Sequence, residues 1–215
     1  PNVVPPHAWA WYFVRAPKRG QVADITRRLI MVARGAAMMT ETEMKVKRVS
    51  GCHELNLTPK LVQLCEENME LVPLPEYTSD ELTFAKKLQE TVEKERLNTD
   101  MEITGSKLMA NKILKAGKMG NKASAGSTDA GDVSMIMPMQ FFNVACWPLG
   151  CALHSWQTTS AAGSTLGHKG MMYAAQVLSG IMFDLYSSEE LFGQVVESFN
   201  EVKKEYICPL DQPMK

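Results

Sequence analysis

The stretch Ala125-Gly126-Ser127-Thr128-Asp129-Ala130-Gly131-Asp132-Val133-Ser134 decides how the chain is interpreted, together with Leu149-Gly150-Cys151-Ala152-Leu153-His154-Ser155-Trp156 shortly after it. The first stretch is acidic and glycine-bearing, and the apolar run Val133 to Met137 closes it. We expect a loop that leads into a buried strand over 132–137, a common way to form one wall of a pocket. The second stretch begins with an apolar part that ends on His154.

The composition limits the function classes. The 215 residues are long enough for one large domain or two small ones, and the net charge of −1 does not indicate a nucleic acid or an anionic membrane as partner. No apolar run is long enough to span a bilayer, and no signal peptide is evident. The five cysteines are scattered without a CxxC pair, which indicates reduced thiols, a cytoplasmic protein and no disulfide framework.

Upstream of the acidic stretch, the pattern predicts strand, helix, strand. Residues 8–15 are rich in aromatic and β-branched side chains, residues 21–39 have helical apolar spacing, and residues 43–49 alternate. Two strands and one helix leave an apolar face and unpaired strand edges, so we expect partner strands from elsewhere. The unit fits half of a ferredoxin-like βαββαβ fold. Since the sequence begins at Pro1 without an initiator Met, we also expect it to be a piece of a longer protein.

Downstream, we predict a second domain over 57–215 after a first domain over 1–52. Thr58-Pro59 begins a helix that runs to about Val72, and a long helix follows Ser79 to about Leu97. Further along the chain, the patterns predict a mobile surface insertion over 98–126, the strand over 132–137, an apolar stretch over 141–147, a polar loop over 155–164, and helices over 165–186 and 188–204. The predicted fold class is α/β, with central strands covered by helices on both sides.

Four sequence elements carry a family resemblance over nearly the whole chain. They are Asn2-Val3-Val4-Pro5 with Arg15, Ser127 to Ser134, Leu153 to Gln157, and His168-Lys169-Gly170-Met171 followed by two alanines. The chain resembles the C-terminal half of the two-metal amidohydrolases and carboxypeptidases related to aminoacylase and hippurate hydrolase. The NxxP…R pair is widespread in such enzymes, whereas the acidic stretch combined with His-Ser-Trp-Gln is specific.

The resemblance implies an α/β/α metallohydrolase domain with an inserted lid that also forms the dimer. Residues 1–52 would then be the second half of the lid, and residues 57–215 the returning part of the catalytic domain. The implied reaction is hydrolysis of the amide bond of an N-acyl or p-aminobenzoyl amino acid, with two divalent ions (Zn or Mn) as cofactors. Most metal ligands and the glutamate that activates water would lie in the missing N-terminal half. No catalytic residue is therefore expected in this chain, and the isolated chain should be inactive.

The resemblance also assigns site residues. His154 matches the last metal ligand of the family, and Asn2 and Arg15 match the lid groups that bind substrate, with Arg15 suited to pair with a carboxylate. Ser127, Thr128, Asp129 and Asp132 are expected to line the substrate pocket. These residues also have plainer interpretations. His154 would be a structural histidine, Asn2 would cap a turn and Arg15 would be exposed to solvent. The residues of the acidic stretch would form an Asx-type turn. His168 resembles a helix cap more than a ligand, and His7 and His53 are interpreted as ordinary.

Two other function classes remain open. One is a non-catalytic interaction or regulatory subunit that pairs with a complete homologue. The other is a carboxylate-binding domain that uses Arg15 alone. If the hydrolase interpretation holds, the partners are the missing N-terminal half, a second copy through the lid or a related subunit, and a small N-acyl amino acid substrate.

Overall fold

The computed structural model describes residues 2–117 and 126–211. Within these ranges the chain forms eight α-helices. They are α1 (Arg19–Met39), α2 (Pro59–Leu71), α3 (Ser79–Gln89), α4 (Lys94–Thr104), α5 (Ala130–Ile136), α6 (Trp156–Ala162), α7 (Thr165–Ser187) and α8 (Glu189–Val202). None of the described helices is both long enough and apolar enough to cross a membrane.

The predicted α/β class is wrong, because the described residues contain helices and no β-strand. Residues 8–15 and 43–49 are irregular backbone instead of strands, and the apolar stretch over 141–147 is irregular too. A strand needs a neighbouring strand to satisfy its backbone N–H and C=O groups, and the side-chain pattern alone does not supply one. The half ferredoxin-like lid and the three-layer catalytic sheet are therefore absent from the described part of the chain.

The acidic stretch leads into a helix, not into the predicted strand over 132–137. α5 occupies Ala130–Ile136. The apolar run that suggested a strand is only five residues long, and periodicity cannot distinguish a buried strand from a helix at that length. The turn at Thr128 and Asp129 decides the outcome, because the carbonyl oxygens of these residues accept the N–H groups of Gly131 and Asp132 at 3.3 and 2.9 Å.

Four predicted helices are confirmed as α1, α2, α7 and α8, and two further segments are corrected. The single helix predicted over 79–97 is two helices, α3 and α4, separated by a turn. The polar loop predicted over 155–164 contains α6, whose first turn is capped by the Ser155 hydroxyl. α4 also occupies the start of the predicted surface insertion over 98–126, of which residues 118–125 lie outside the described residues.

The chain divides into two compact units. Unit 1 comprises Pro1–Asn56, Ala123–Ile136 and Lys204–Lys215, and unit 2 comprises Leu57–Lys122 and Met137–Lys203. Unit 1 thus brings the acidic stretch, α1 and the C-terminal segment together. The predicted division into a lid half and a catalytic part stays a prediction.

Unit 2 has its main apolar core where α2 packs against α7. Leu64, Cys65, Tyr173, Val177 and Ile181 are buried there, and Leu191 of α8 packs against them. The Tyr173 hydroxyl donates to the Met69 carbonyl at 2.8 Å, so the buried phenol has a partner. A smaller cluster of Ala85, Met109 and Leu166 attaches α3 to the N-terminal end of α7.

Candidate functional site

The acidic stretch forms a capped turn at the start of α5. The Thr128 hydroxyl accepts the Ala130 N–H at 3.3 Å and donates to Asp129 Oδ1 at 3.4 Å. Ser127 and Asp129 are exposed, and Thr128 is half-buried. This arrangement is an ST-type turn, in which the Thr128 hydroxyl accepts the N–H group two residues further on, and it takes the place of the Asx-type turn that the sequence left open as the plainer alternative. The structure gives Asp129 a role in the turn, and a role in substrate binding stays a prediction.

Asp132 and Ser134 attach α5 to the segment around His53. Asp132 Oδ2 accepts the backbone N–H of His53 at 3.3 Å, and the buried Ser134 hydroxyl accepts the backbone N–H of Asn56 at 2.8 Å. The same hydroxyl donates to the Gly131 carbonyl at 2.6 Å. His53 is therefore part of this site, although its sequence context carried no periodic or motif signal that could have indicated it.

Charged and titratable side chains surround the Asp132 carboxylate. Its buried Oδ1 atom has no hydrogen-bond partner in the part of the chain that the structure describes. Burial lowers the pKa of the Arg19 guanidinium and the nearby Arg48 lowers it further, whereas Asp132 opposes both effects. Burial also raises the pKa of Tyr206, and the charge of Asp132 raises it further. Arg19 and Tyr206 thus flank this carboxylate, and neither was singled out from the sequence.

His154 lies in unit 2, in the turn before α6. Its side chain is exposed, and its backbone φ of 62° is in the left-handed region. Few residues other than glycine adopt this region, and among them histidine is enriched. The turn is held on both sides: the Gly150 N–H donates to Asp100 Oδ2 at 2.9 Å, and the Thr158 hydroxyl donates to the Ala152 carbonyl at 2.8 Å. The backbone that carries the exposed imidazole is therefore held in place on the surface of unit 2.

Asn2 and Arg15 lie in the irregular N-terminal part of unit 1, and both side chains are exposed. The Arg15 guanidinium carbon lies 5.7 Å from the centre of the Phe13 ring, a cation–π contact. Asn2, Arg15 and the acidic stretch belong to unit 1, whereas His154 belongs to unit 2. Their roles as a substrate clamp and a metal ligand stay predictions.

A cleft of about 370 Å³ in unit 2 lies beside the start of α7. Lys169 on its wall donates to Glu81 Oε2 at 2.6 Å and to the Glu76 carbonyl at 2.7 Å. Glu81 also accepts the Thr78 N–H at 2.7 Å in the capping box of α3. Bonds from Lys169, Thr165 and Thr78 lower the pKa of Glu81 to about 2. Of the four histidines, only His168 lines this cleft, and none of the predicted site residues does.

The described residues contain no group of three or more His, Cys, Asp or Glu side chains that could hold a metal ion. Within these ranges His154 is a single exposed imidazole, and one ligand does not make a metal site. Any metal at His154 would therefore need its other donors from polypeptide beyond the described residues.

Comparison with known proteins gives one informative relative. Over 227 aligned residues the chain is 30% identical to the B subunit of p-aminobenzoyl-glutamate hydrolase from Escherichia coli (strain K12). The alignment covers 98% of this chain and 47% of the relative, so the chain spans about half the length of the curated relative that it matches. No protein-family model matches the chain, and no solved structure matches it significantly.

This similarity makes the chain a homologue of a hydrolase subunit over about half of that subunit's length. The resemblance carried by the four sequence elements, from Asn2 to Met171, points to the same relative. The resemblance to the B subunit of p-aminobenzoyl-glutamate hydrolase is therefore confirmed, and the coverage is consistent with a match to one half of it.

Proposed function

We propose that this chain is part of an amide-bond hydrolase that acts on a p-aminobenzoyl or other N-acyl amino acid. The observation that carries the proposal is the 30% identity over 98% of the chain to a subunit of p-aminobenzoyl-glutamate hydrolase. The chain spans only 47% of that relative, so we further propose that it is inactive until the remaining polypeptide is present.

One face of α7 supports the need for more polypeptide. Between Lys169 and Asp184 this helix carries no charged residue. Its buried side packs against α2, yet the other side exposes large apolar side chains: Met171 (58%), Met172 (55%), Leu178 (49%), Met182 (57%) and Phe183 (71%). A helix that is apolar all round is normally buried on both sides. We propose that the remaining half of the full-length protein covers this α7 face.

The N-terminal part of unit 1 is a second, independent indication that further polypeptide covers this chain. Trp9, Trp11, Tyr12 and Phe13 are 63–78% exposed on irregular backbone. Large exposed apolar side chains grouped in this way mark a surface that another polypeptide covers. We therefore propose that a partner covers this part too, namely the missing part of the lid. The protein would form a dimer through that lid or pair with a related subunit.

We propose that His154 is one ligand of a two-ion centre (Zn or Mn) whose other ligands and water-activating glutamate lie in the missing half. The exposed imidazole in its positive-φ turn is free to meet donors from another segment. When bound, the ions would lower the pKa of a water molecule and polarise the scissile carbonyl. Arg15 and Asn2 would bind and orient the substrate, Arg15 through its carboxylate. The five free cysteines support a cytoplasmic location.

The test compares the isolated chain with the chain co-purified with the remaining half of its full-length protein. We expect the isolated chain to release no p-aminobenzoate from p-aminobenzoyl-glutamate and the complex to release it. His154→Ala should abolish the activity and lower the bound metal measured by plasma mass spectrometry, whereas the control His168→Ala, also on an exposed side chain, should retain the metal.

Each other outcome has a defined meaning. Hydrolysis by the isolated chain would overturn the requirement for a second half. An inert complex that binds two metal ions would support a metallohydrolase and exclude p-aminobenzoyl-glutamate as its substrate. An inert complex without metal would favour the non-catalytic interaction subunit.

A further inference from the structure

Two segments of unit 1 run side by side in opposite directions. An ideal Cβ atom on Gly51 would lie 2.8 Å from Pro209 Cβ, and His53 Nε2 donates to the Ile207 carbonyl at 3.0 Å. The residue number therefore rises along the first segment, from 51 to 53, as it falls along the second, from 209 to 207. Lys204 Nζ lies 3.6 Å from Glu54 Oε1, in agreement with the same direction.

This register places Cys52 opposite Cys208. The two cysteines are the residues between the two contacts just described, Gly51 with Pro209 and His53 with Ile207. A disulfide needs a Cα separation of about 4.4–6.8 Å, and the contacts on either side of the two cysteines bring the two segments together at this point.

The surroundings of Asp132 connect the same two thiols. The Arg19 guanidinium interacts electrostatically with both Cys52 and Asp132, and Tyr206 interacts with both Asp132 and Cys208. Both thiols therefore border the group of side chains around this carboxylate. This observation is independent of the two contacts that fix the register.

We propose that Cys52 and Cys208 are a redox-active pair that forms an intramolecular disulfide by exchange with a low-molecular-weight disulfide such as glutathione disulfide. One cysteine thiolate attacks the external S–S bond, which breaks and releases one glutathione. The second cysteine thiolate then attacks the mixed disulfide, forms the Cys52–Cys208 bond and releases the second glutathione. The two thiol protons leave with the two glutathione molecules. The proposal does not depend on the proposed hydrolase function.

The other three cysteines do not share this setting. Cys65 and Cys151 are buried, and burial raises the pKa of Cys65, Cys146 and Cys151. A raised pKa reduces the fraction of thiolate, which is the reactive form. Cys52 and Cys208 are both partly exposed, so an external disulfide can reach them. Neither segment is helical or strand, which lets the backbone adjust to disulfide geometry.

A peptide map of the full chain tests the pair directly. Trypsin cuts the sequence so that Cys52 lies in peptide 49–60, Cys208 in 205–215, Cys65 in 61–86, and Cys146 with Cys151 in 123–169. After equilibration with glutathione disulfide and alkylation of the remaining thiols, we expect 49–60 joined to 205–215. Peptides 61–86 and 123–169 should be alkylated.

Variants separate a specific pair from general oxidation. Cys52→Ser and Cys208→Ser should each abolish the joined peptide and leave a glutathione adduct on the other cysteine, and Cys146→Ser should leave the joined peptide unchanged. Circular dichroism checks that each variant is folded. Separate glutathione adducts on Cys52 and Cys208 in the unsubstituted chain, both thiols remaining reduced, or joining to any other cysteine would overturn the proposal.

Discussion

Gly131 in α5 lies against the backbone of His53 so closely that an ideal Cβ atom on it would be 2.0 Å from the His53 carbonyl oxygen. Real Cβ atoms do not approach a backbone oxygen to that distance. Two hydrogen bonds act at the same contact, from the His53 N–H to Asp132 and from the Asn56 N–H to Ser134. The acidic stretch is thus fixed to the segment around His53 by close packing and by polar contacts.

Gly131→Ala should destabilise unit 1, because the added methyl group forces a backbone shift. Overpacking of this kind costs about 1–3 kcal/mol, and sometimes more. The control is Gly35→Ala in α1, where nothing lies within 4 Å of the added Cβ atom. Since alanine is the better helix former by about 1 kcal/mol, Gly35→Ala should stabilise slightly. Urea unfolding of both variants measures the difference, and equal free energies of unfolding would contradict the close contact.

Ser134→Ala should lower the free energy of unfolding by about 1–3 kcal/mol. The Ser134 side chain is fully buried, and its hydroxyl both accepts from the Asn56 N–H and donates to the Gly131 carbonyl. Ser179→Ala is the matched control, because that exposed hydroxyl only bonds to a carbonyl within its own helix. A loss no larger than that of Ser179→Ala would argue against the buried contact.

Glu81 should make stability depend on acid pH. Its pKa is lowered from 4.5 to about 2 in the folded chain by bonds from Lys169, Thr165 and Thr78. Since the folded pKa lies below the unfolded one, the stabilisation is fully present above pH 4.5 and is lost as the pH falls towards 2. Urea unfolding across this pH range should show a shallower decline for Glu81→Gln than for the unsubstituted chain. Glu95→Gln, on an exposed side chain of α4, should keep the original slope.

Val177→Ala should destabilise the core of unit 2. Val177 of α7 is fully buried against α2. Truncation of a buried aliphatic side chain to alanine leaves a cavity that costs on the order of 2 kcal/mol. Leu178→Ala, one residue further along the same helix, removes a side chain that is 49% exposed and should cost much less. Thermal unfolding compares them, and a Leu178→Ala loss equal to that of Val177→Ala would contradict the assigned faces of α7.

Leu178→Asp should weaken association with the remaining half of the protein without unfolding the chain. A carboxylate in the middle of the uncharged α7 face would be desolvated without a partner when that half packs on it. We expect at least a tenfold rise in the dissociation constant, measured by titration calorimetry. Glu66→Asp on α2 keeps the charge of its surface and should bind normally. Unchanged binding of Leu178→Asp would mean that another surface meets the partner.

The sequence by itself determined the helices that carry a long apolar period, and it determined the relative. α1, α2, α7 and α8 follow from side-chain spacing and from local signals such as Thr58-Pro59. Thr58 even precedes α2 as predicted, although its hydroxyl accepts the Met139 N–H in place of a capping bond. The family resemblance indicated the homologue, and it was carried by the motifs around Asp132 and His154 together with Asn2 to Pro5, Arg15 and His168 to Met171.

Only the tertiary structure decided the rest, because those outcomes depend on contacts between residues far apart in the chain. The segments predicted as strands have suitable residues, but a strand exists only where another strand pairs with it, and none pairs with them in the described residues. The role of His53 comes from its contact with α5, 79 residues further along the chain. The apposition of Cys52 and Cys208 likewise follows from the packing of the C-terminal segment, which no local pattern encodes.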